Sequence, residues 1–83
     1  MRLPIIKKLV ESDLDVDYFE ETIEVLDAIC DARGIKDGEI DVLGEMISNI
    51  EGAKVVLEDI QYNNTPQKEA LNSFMKRVLK AVN

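Results

Sequence analysis

The sequence predicts an all-α fold, a small four-helix bundle with a short N-terminal helix and a long central third helix. Apolar residues recur at intervals of three and four along most of the chain, and residues that favour helix starts precede these runs. No segment alternates apolar and polar residues as a half-buried strand does. With 83 residues and no linker, the chain is expected to form one domain, residues 1–83.

The first helix is expected to be short, and proline and aspartate mark the starts of the first two helices. Pro4 suits the first position of a helix because its missing N–H needs no partner there, and this helix should stop near Ser12. The second helix is expected to begin at Asp15 or Asp17, where a carboxylate caps the backbone. Its predicted buried face consists of Phe19, Ile23, Leu26, Ile29 and Cys30.

The third helix is the longest, from Asp37 as its cap to Tyr62, and the other helices are expected to pack against it. Thr65 is expected to cap the fourth helix, and Pro66 to occupy its first position. The predicted buried face of the fourth helix consists of Leu71, Phe74, Met75, Val78, Leu79 and Val82.

Apolar residues cover about half of the circumference of the central helix, more than the roughly 100° stripe of a helix with one buried face. Beside this arc, Gly44, Ser48 and Gly52 follow one another at four-residue intervals. This spacing fits a groove that another backbone approaches closely. It fits equally a bend in the helix, or glycines that are tolerated because they are exposed.

The length of the central helix predicts self-association. About 26 residues make a helix about 39 Å long, whereas a compact chain of this size is about 30 Å across. Because shorter neighbours cannot cover both apolar sides, we expect a two-fold homodimer through this helix. The predicted interface residues are Gly44, Met46, Ser48, Gly52, Ala53, Val56 and Ile60. The rival possibility is that Gly52 breaks the helix, so that its second half folds back into a monomeric bundle.

Charge and composition argue against several functional classes. The net charge of −7 repels phosphate backbones and anionic lipid, so we expect no binding to nucleic acid or to membranes. A single cysteine suits a reducing cytoplasm, and the chain has no histidine, the usual general base and the commonest metal ligand. We therefore expect no enzymatic activity, no cofactor and no metal.

Four acids have the spacing of an EF-hand calcium loop, since Asp13, Asp15, Asp17 and Glu24 fall at its first, third, fifth and twelfth positions. The sixth position requires glycine for a sharp turn, but Tyr18 stands there. Capping at the start of the second helix explains the same acids, so we do not expect a calcium site.

Cys30 is the only thiol, and Arg33 shortly after it would favour a thiolate. Asp27 and Asp31 would oppose that charge, and Cys30 follows Leu26 on the apolar stripe. A free cysteine in such a place behaves as a small apolar side chain, so we expect a packing role.

Four segments, MRLPIIKKLVE, ETIEVLDAI, EIDVLGEMISNIEGAKVV and KEALNSFMKRVL, cover most of the chain. Through them the sequence resembles a family of short, all-helical bacterial proteins known only as a domain of unknown function. The resemblance implies no activity. It implies that such proteins are encoded near thioredoxin- and peroxiredoxin-like proteins, and hence a link to thiol redox chemistry and peroxide defence.

The leading functional hypothesis is a non-enzymatic interaction or accessory module, because no catalytic set is visible and the central helix calls for a partner. The alternative is a small acidic carrier similar to acyl carrier proteins, which bear a prosthetic arm on a serine in an Asp-Ser-Leu segment. Here the order is Ser12, Asp13, Leu14, so that motif is absent. An enzyme would require a site assembled across a subunit interface.

Overall fold

The computed structural model describes the backbone of residues 1–82 and the side chains of residues 1–78, and over this range it contains four helices and no strand. The helices are α1 (Leu3–Val10), α2 (Val16–Cys30), α3 (Asp37–Asn63) and α4 (Gln67–Val82). The predicted all-α fold with four helices is therefore confirmed. Leu79 and Val82, predicted on the buried face of the fourth helix, lie outside the described side chains.

α3 is the axis of the fold, because it contacts each of the other three helices. Over the described residues α2 packs on α3 alone, whereas α1 and α4 also contact each other. α3 runs through Gly52 without a break, so the possibility that this glycine breaks the helix is wrong. Its 27 residues span about 40 Å, close to the longest dimension of the molecule, 43 Å. The shortest dimension is 17 Å, so the fold is a flat slab built along one helix.

The core forms around the C-terminal half of α3, where α1 and α4 meet it. Gly52 marks the closest approach: a Cβ added there would lie 2.9 Å from Cδ1 of Ile6 and 3.1 Å from Cζ of Phe74. Glycine therefore leaves the room that both side chains occupy. The buried apolar residues are Ile6, Val10, Phe19, Ala53, Val56, Leu57, Ala70, Leu71 and Phe74.

This packing covers the side of α3 for which the sequence predicts a second copy. Ala53 and Val56 have no exposed surface, and Gly52 is buried beside them. The predicted contact rests on a spherical molecule about 30 Å across. The molecule is instead elongated along α3, so α1 and α4 cover the apolar side of α3 that the prediction leaves exposed. Self-pairing itself stays a prediction.

Carboxylates hold the starts of α2 and α3, though not all at the predicted positions. Asp15 caps α2, and its Oδ1 accepts a 3.0 Å hydrogen bond from the backbone N–H of Tyr18. Lys36, rather than Asp37, occupies the cap position of α3. The backbone N–H of Lys36 donates to Oε1 of Glu39 at 3.1 Å, so a carboxylate inside the first turn takes the place of the expected aspartate cap.

The turn between α3 and α4 is built around Asp59 rather than around a threonine cap. Nδ2 of Asn63 and Oγ1 of Thr65 both donate to Oδ1 of Asp59 at 2.9 Å. These hydrogen bonds hold the pKa of the Asp59 carboxyl below its usual value. Pro66 lies just before α4, and its carbonyl accepts a 2.9 Å bond from the N–H of Ala70, so proline takes the cap position predicted for Thr65.

Asn49 is the one buried polar side chain among the described residues, and it fixes the start of α1 on α3. Its Oδ1 accepts a 2.7 Å bond from the backbone N–H of Arg2, and its Nδ2 donates to the carbonyl of Glu45 at 2.9 Å. The guanidinium of Arg2 also lies 2.8 Å from the carboxylate of Glu45. Backbone and side chain of Arg2 therefore both attach the N-terminal segment to α3, one turn before Gly52.

Replacing Gly52 with alanine is expected to destabilise the fold, because the new methyl group must displace Ile6 and Phe74. Overpacking of this kind costs about 1–3 kcal/mol, against a gain in helix propensity of up to about 1 kcal/mol. Gly38→Ala is the matched control, since nothing lies within 4 Å of a Cβ at Gly38. It should leave stability unchanged or slightly raised. Urea unfolding followed by circular dichroism measures both variants, and equal stabilities would contradict the close approach at Gly52.

Asn49→Ala is expected to lower the free energy of unfolding by about 1–3 kcal/mol, because the backbone N–H of Arg2 loses its partner in a partly buried place. Arg2→Ala keeps that backbone bond and removes only an ion pair, whose arginine side chain is 63% exposed. Such pairs contribute less than about 1 kcal/mol, so this variant should be clearly the more stable. Thermal unfolding compares the two. A larger loss in Arg2→Ala would show that the ion pair, rather than Asn49, holds α1.

Candidate functional site

Three of the seven residues predicted to form a contact between copies belong to the chain's own core. Side chains of α1 and α4 cover Gly52, and Ala53 and Val56 lie in the same buried cluster. A second copy would contact them only if these helices moved away, so they are core positions of the folded chain. Ile60 is half-buried against this core, and Met46 is half-buried nearer the start of α3.

The remaining two predicted residues, Gly44 and Ser48, lie on a different side of α3. They align with Val55 and Tyr62, since steps of four, seven and seven residues return to one side of a helix. Nothing lies within 4 Å of a Cβ at Gly44, Ser48 is half-buried, and Val55 and Tyr62 are 37% and 72% exposed. We refer to these four residues as the outer face of α3.

Grooves run along both sides of the outer face, and each contains charges of both signs. On the α2 side, Nζ of Lys54 lies 3.1 Å from Oε1 of Glu20, and this hydrogen-bonded acid holds the pKa of Lys54 above its usual value. On the α4 side, Glu58 and Arg77 line the groove together with Tyr62. The outer face is therefore bordered by mixed charge.

A second exposed apolar feature lies on α2. Tyr18 and Val25 are both 59% exposed, and Ile29 is 42% exposed. Intervals of seven and four residues place these side chains on one side of the helix. Thr22 lies between them, and its hydroxyl donates to the carbonyl of Tyr18 at 2.7 Å, so its polar hydrogen is already paired. We refer to Tyr18, Thr22, Val25 and Ile29 as the α2 stripe.

The sequence did not predict the α2 stripe, because it assigned Ile29 to the buried face. Phe19 is buried as predicted, and Leu26 and Cys30 are half-buried, but Ile29 lies about 80° around the helix from Phe19. α3 is the one neighbour of α2 over the described residues, and it covers a single side. One residue of the sequence could have indicated the stripe: Val25 is apolar, lies outside the predicted buried face and stands one turn from Ile29.

An apolar groove continues the α2 stripe past the end of that helix and onto the start of α3. Ile29, Ile35, Val42 and Leu43 line it, and Val42 is 59% exposed. Glu39 is the acidic residue in its lining. The stripe and the groove share Ile29, so they form one continuous surface.

The acids with calcium-loop spacing do not lie in a loop. Asp15 is the cap of α2, and Asp17 and Glu24 lie inside the helix. Among the residues that the structure describes, no three acidic or cysteine side chains come together in a way that could hold a metal ion. Cys30 is half-buried at the last position of α2.

None of the four helices, over the described part of the chain, has the length and apolar character that crossing a membrane requires. No curated protein and no solved structure shows significant similarity to the sequence. One family model matches, and it covers residues 1–83. The chain therefore belongs to DUF6952, a family of unknown function.

Proposed function

We propose that the chain is a non-enzymatic interaction module that pairs with a second copy of itself along the outer face of α3. The supporting observation is that two large side chains, Val55 and Tyr62, stand exposed in line with Gly44, which carries no side chain. Removing apolar surface from water contributes about 25 cal/mol per Å². Covering an aromatic ring and a valine on each copy therefore favours association.

An antiparallel pair of α3 helices would bring unlike parts of the outer face together. Gly44 and Tyr62 lie equally far along the helix from residue 53, so a two-fold axis at that level places Gly44 opposite Tyr62 of the other copy. The open space at Gly44 accepts the tyrosine ring. The same contact forms twice, about 27 Å apart along the helices.

The charges beside the outer face suit pairing between identical copies. Lys54 lines one groove with Glu20, Glu24 and Glu51, and Arg77 lines the other with Glu58 and Asp59. Two copies related by a two-fold axis would therefore present both signs of charge to each other. Exposed ion pairs contribute only about 0–1 kcal/mol each, but complementary charges orient the two surfaces.

The non-enzymatic part of the proposal is supported by the sequence, which contains no histidine and a single cysteine. The family resemblance implies a link to thiol redox, and a thiol reaction carried out by this chain itself would have to use Cys30. That thiol is half-buried at the end of α2 and is not part of the outer face of α3. An accessory role in redox chemistry would therefore act through the partner that the module holds.

Light scattering at micromolar concentration is expected to give twice the chain mass of 9.4 kDa. Tyr62→Glu should return the mass to that of one chain, because pairing would then bury two uncompensated carboxylates. Val25→Glu is the matched control on the α2 stripe, which lies away from the outer face, and should leave the mass unchanged. A single-chain mass for the unaltered protein would contradict self-pairing.

Disulfide crosslinking tests the antiparallel register in a Cys30→Ser background. Oxidation of Gly44→Cys/Tyr62→Cys is expected to yield a covalent dimer. No bond can close within one chain, because these positions are about 27 Å apart and a disulfide needs Cα atoms within about 7 Å. Gly38→Cys/Tyr62→Cys is the control, because the proposed register does not place residue 38 opposite residue 62 of the other copy. Crosslinking of the control alone would contradict the proposed axis.

A further inference from the structure

The α2 stripe and its groove form a second uncovered surface, distinct from the outer face of α3. Glu20 and Glu24 belong to the groove that borders the outer face. Tyr18, Val25 and Ile29 lie on the other flank of α2, about 140–180° around the helix from Glu20. A molecule bound to the stripe would therefore not compete with a second copy bound along α3.

This surface has the length and shape that one helix of a partner would cover. From Tyr18 to Ile29 the stripe extends about 16 Å along α2. Ile35, Val42 and Leu43 then continue it across the start of α3. A helix of about 15 residues, with apolar side chains spaced to lie along one side, fits a surface of this kind.

The charges beside the α2 stripe have a single sign. Asp17 and Glu21 are exposed and four residues apart, so they form an acidic row beside the stripe. Glu24 is also exposed, but it lines the groove beside the outer face of α3. The nearest cations after the stripe, Arg33 and Lys36, lie beyond the end of α2, next to the groove residue Ile35 in the sequence. Residues 9–32 contain no lysine or arginine, and their acids are Glu11, Asp13, Asp15, Asp17, Glu20, Glu21, Glu24, Asp27 and Asp31.

We infer that the α2 stripe and its groove bind an amphipathic helix of another protein, one that carries lysine or arginine beside its apolar face. The apolar side of such a helix covers Tyr18, Val25 and Ile29, while its cations face the acidic row. Complementary charge of this kind raises the association rate and selects among partners.

A second copy of the chain is a poor occupant of this surface, although it suits the outer face of α3. Two stripes in contact would bring two acidic rows within the Debye length of about 8 Å at physiological salt. The outer face differs because Lys54 and Arg77 accompany its acids. The sign of the surrounding charge therefore assigns different partners to the two surfaces.

Three labelled peptides of about 15 residues test the inference by fluorescence anisotropy with the full chain. The first has a leucine stripe flanked by lysines, the second has glutamates in place of the lysines, and the third is a scrambled version of the first. We expect the lysine helix to bind at least about tenfold more tightly than either of the others, and to weaken as salt is raised.

Matched variants locate the binding. Val25→Ser/Ile29→Ser should weaken the lysine helix by at least about tenfold, because both exposed side chains lie in the stripe. Val55→Ser, on the outer face of α3, should leave binding unchanged. Glu21→Gln should weaken it more than Glu69→Gln, which makes the same charge change on α4. Amide shifts in the NMR spectrum should move along α2 and around Val42.

Three results would overturn the inference. Equal binding of the glutamate helix would remove the role of charge, and equal binding of the scrambled peptide would reduce the interaction to net charge alone. Absence of binding by all three peptides would show that the α2 stripe and its groove do not bind a helix of this kind. Light scattering reports self-pairing separately, so each of these failures can be told apart from failure of the proposed pairing through α3. A dimer that Val25→Glu dissociates would assign the stripe to a second copy instead.

Discussion

The close approach at Gly52 is the constraint on which the rest of the structure depends. Because no side chain stands there, Ile6 of α1 and Phe74 of α4 reach the same point of α3 from different helices. Asn49, one turn earlier, fixes α1 in that position through the backbone N–H of Arg2. Together these contacts enclose the C-terminal half of α3 and place Val56 at the centre of the core. The chain completes a core of its own, and it does not need a second copy to bury this side of α3.

The same constraint explains which surfaces remain uncovered. With α1 and α4 gathered around the C-terminal half of α3, α2 has α3 as its one neighbour over the described residues. A helix with one neighbour buries one side, here the side that carries Phe19. Val25 and Ile29 are consequently exposed, and Val42 is exposed at the end of α3 that lies away from the core. The apolar surface follows from the topology of the bundle rather than from any single residue.

Most of the helices could be predicted from interactions between neighbouring residues, whereas the arrangement of the helices relative to one another could not. Asp15 acts as a cap within its own turn, and Pro4 lies in the first turn of α1, although at its second position rather than the predicted first, so such features can be read from a few neighbouring residues. Gly52 pointed either to a close approach or to a bend, and nothing near it in sequence identified Ile6 and Phe74 as the neighbours. Asn49 gave no signal because its partner, Arg2, is 47 positions away. The sequence does not predict the α2 stripe for the same reason, because the position of α3 decides which apolar side of α2 stays exposed.

Exposure and charge together distinguish two apolar surfaces of the chain, although neither property does so alone. The acids between Glu11 and Asp31 are visible in the sequence, but a run of acids by itself describes a solvated face. The structure adds that apolar side chains such as Val25 stand exposed among them. An apolar surface bordered by one sign of charge is not complementary to itself, because its own copy brings the same sign. An apolar surface bordered by both signs, as beside Lys54 and Glu51, is compatible with its own copy. We therefore propose that the chain pairs with itself along one side of α3 while α2 stays free for a basic partner.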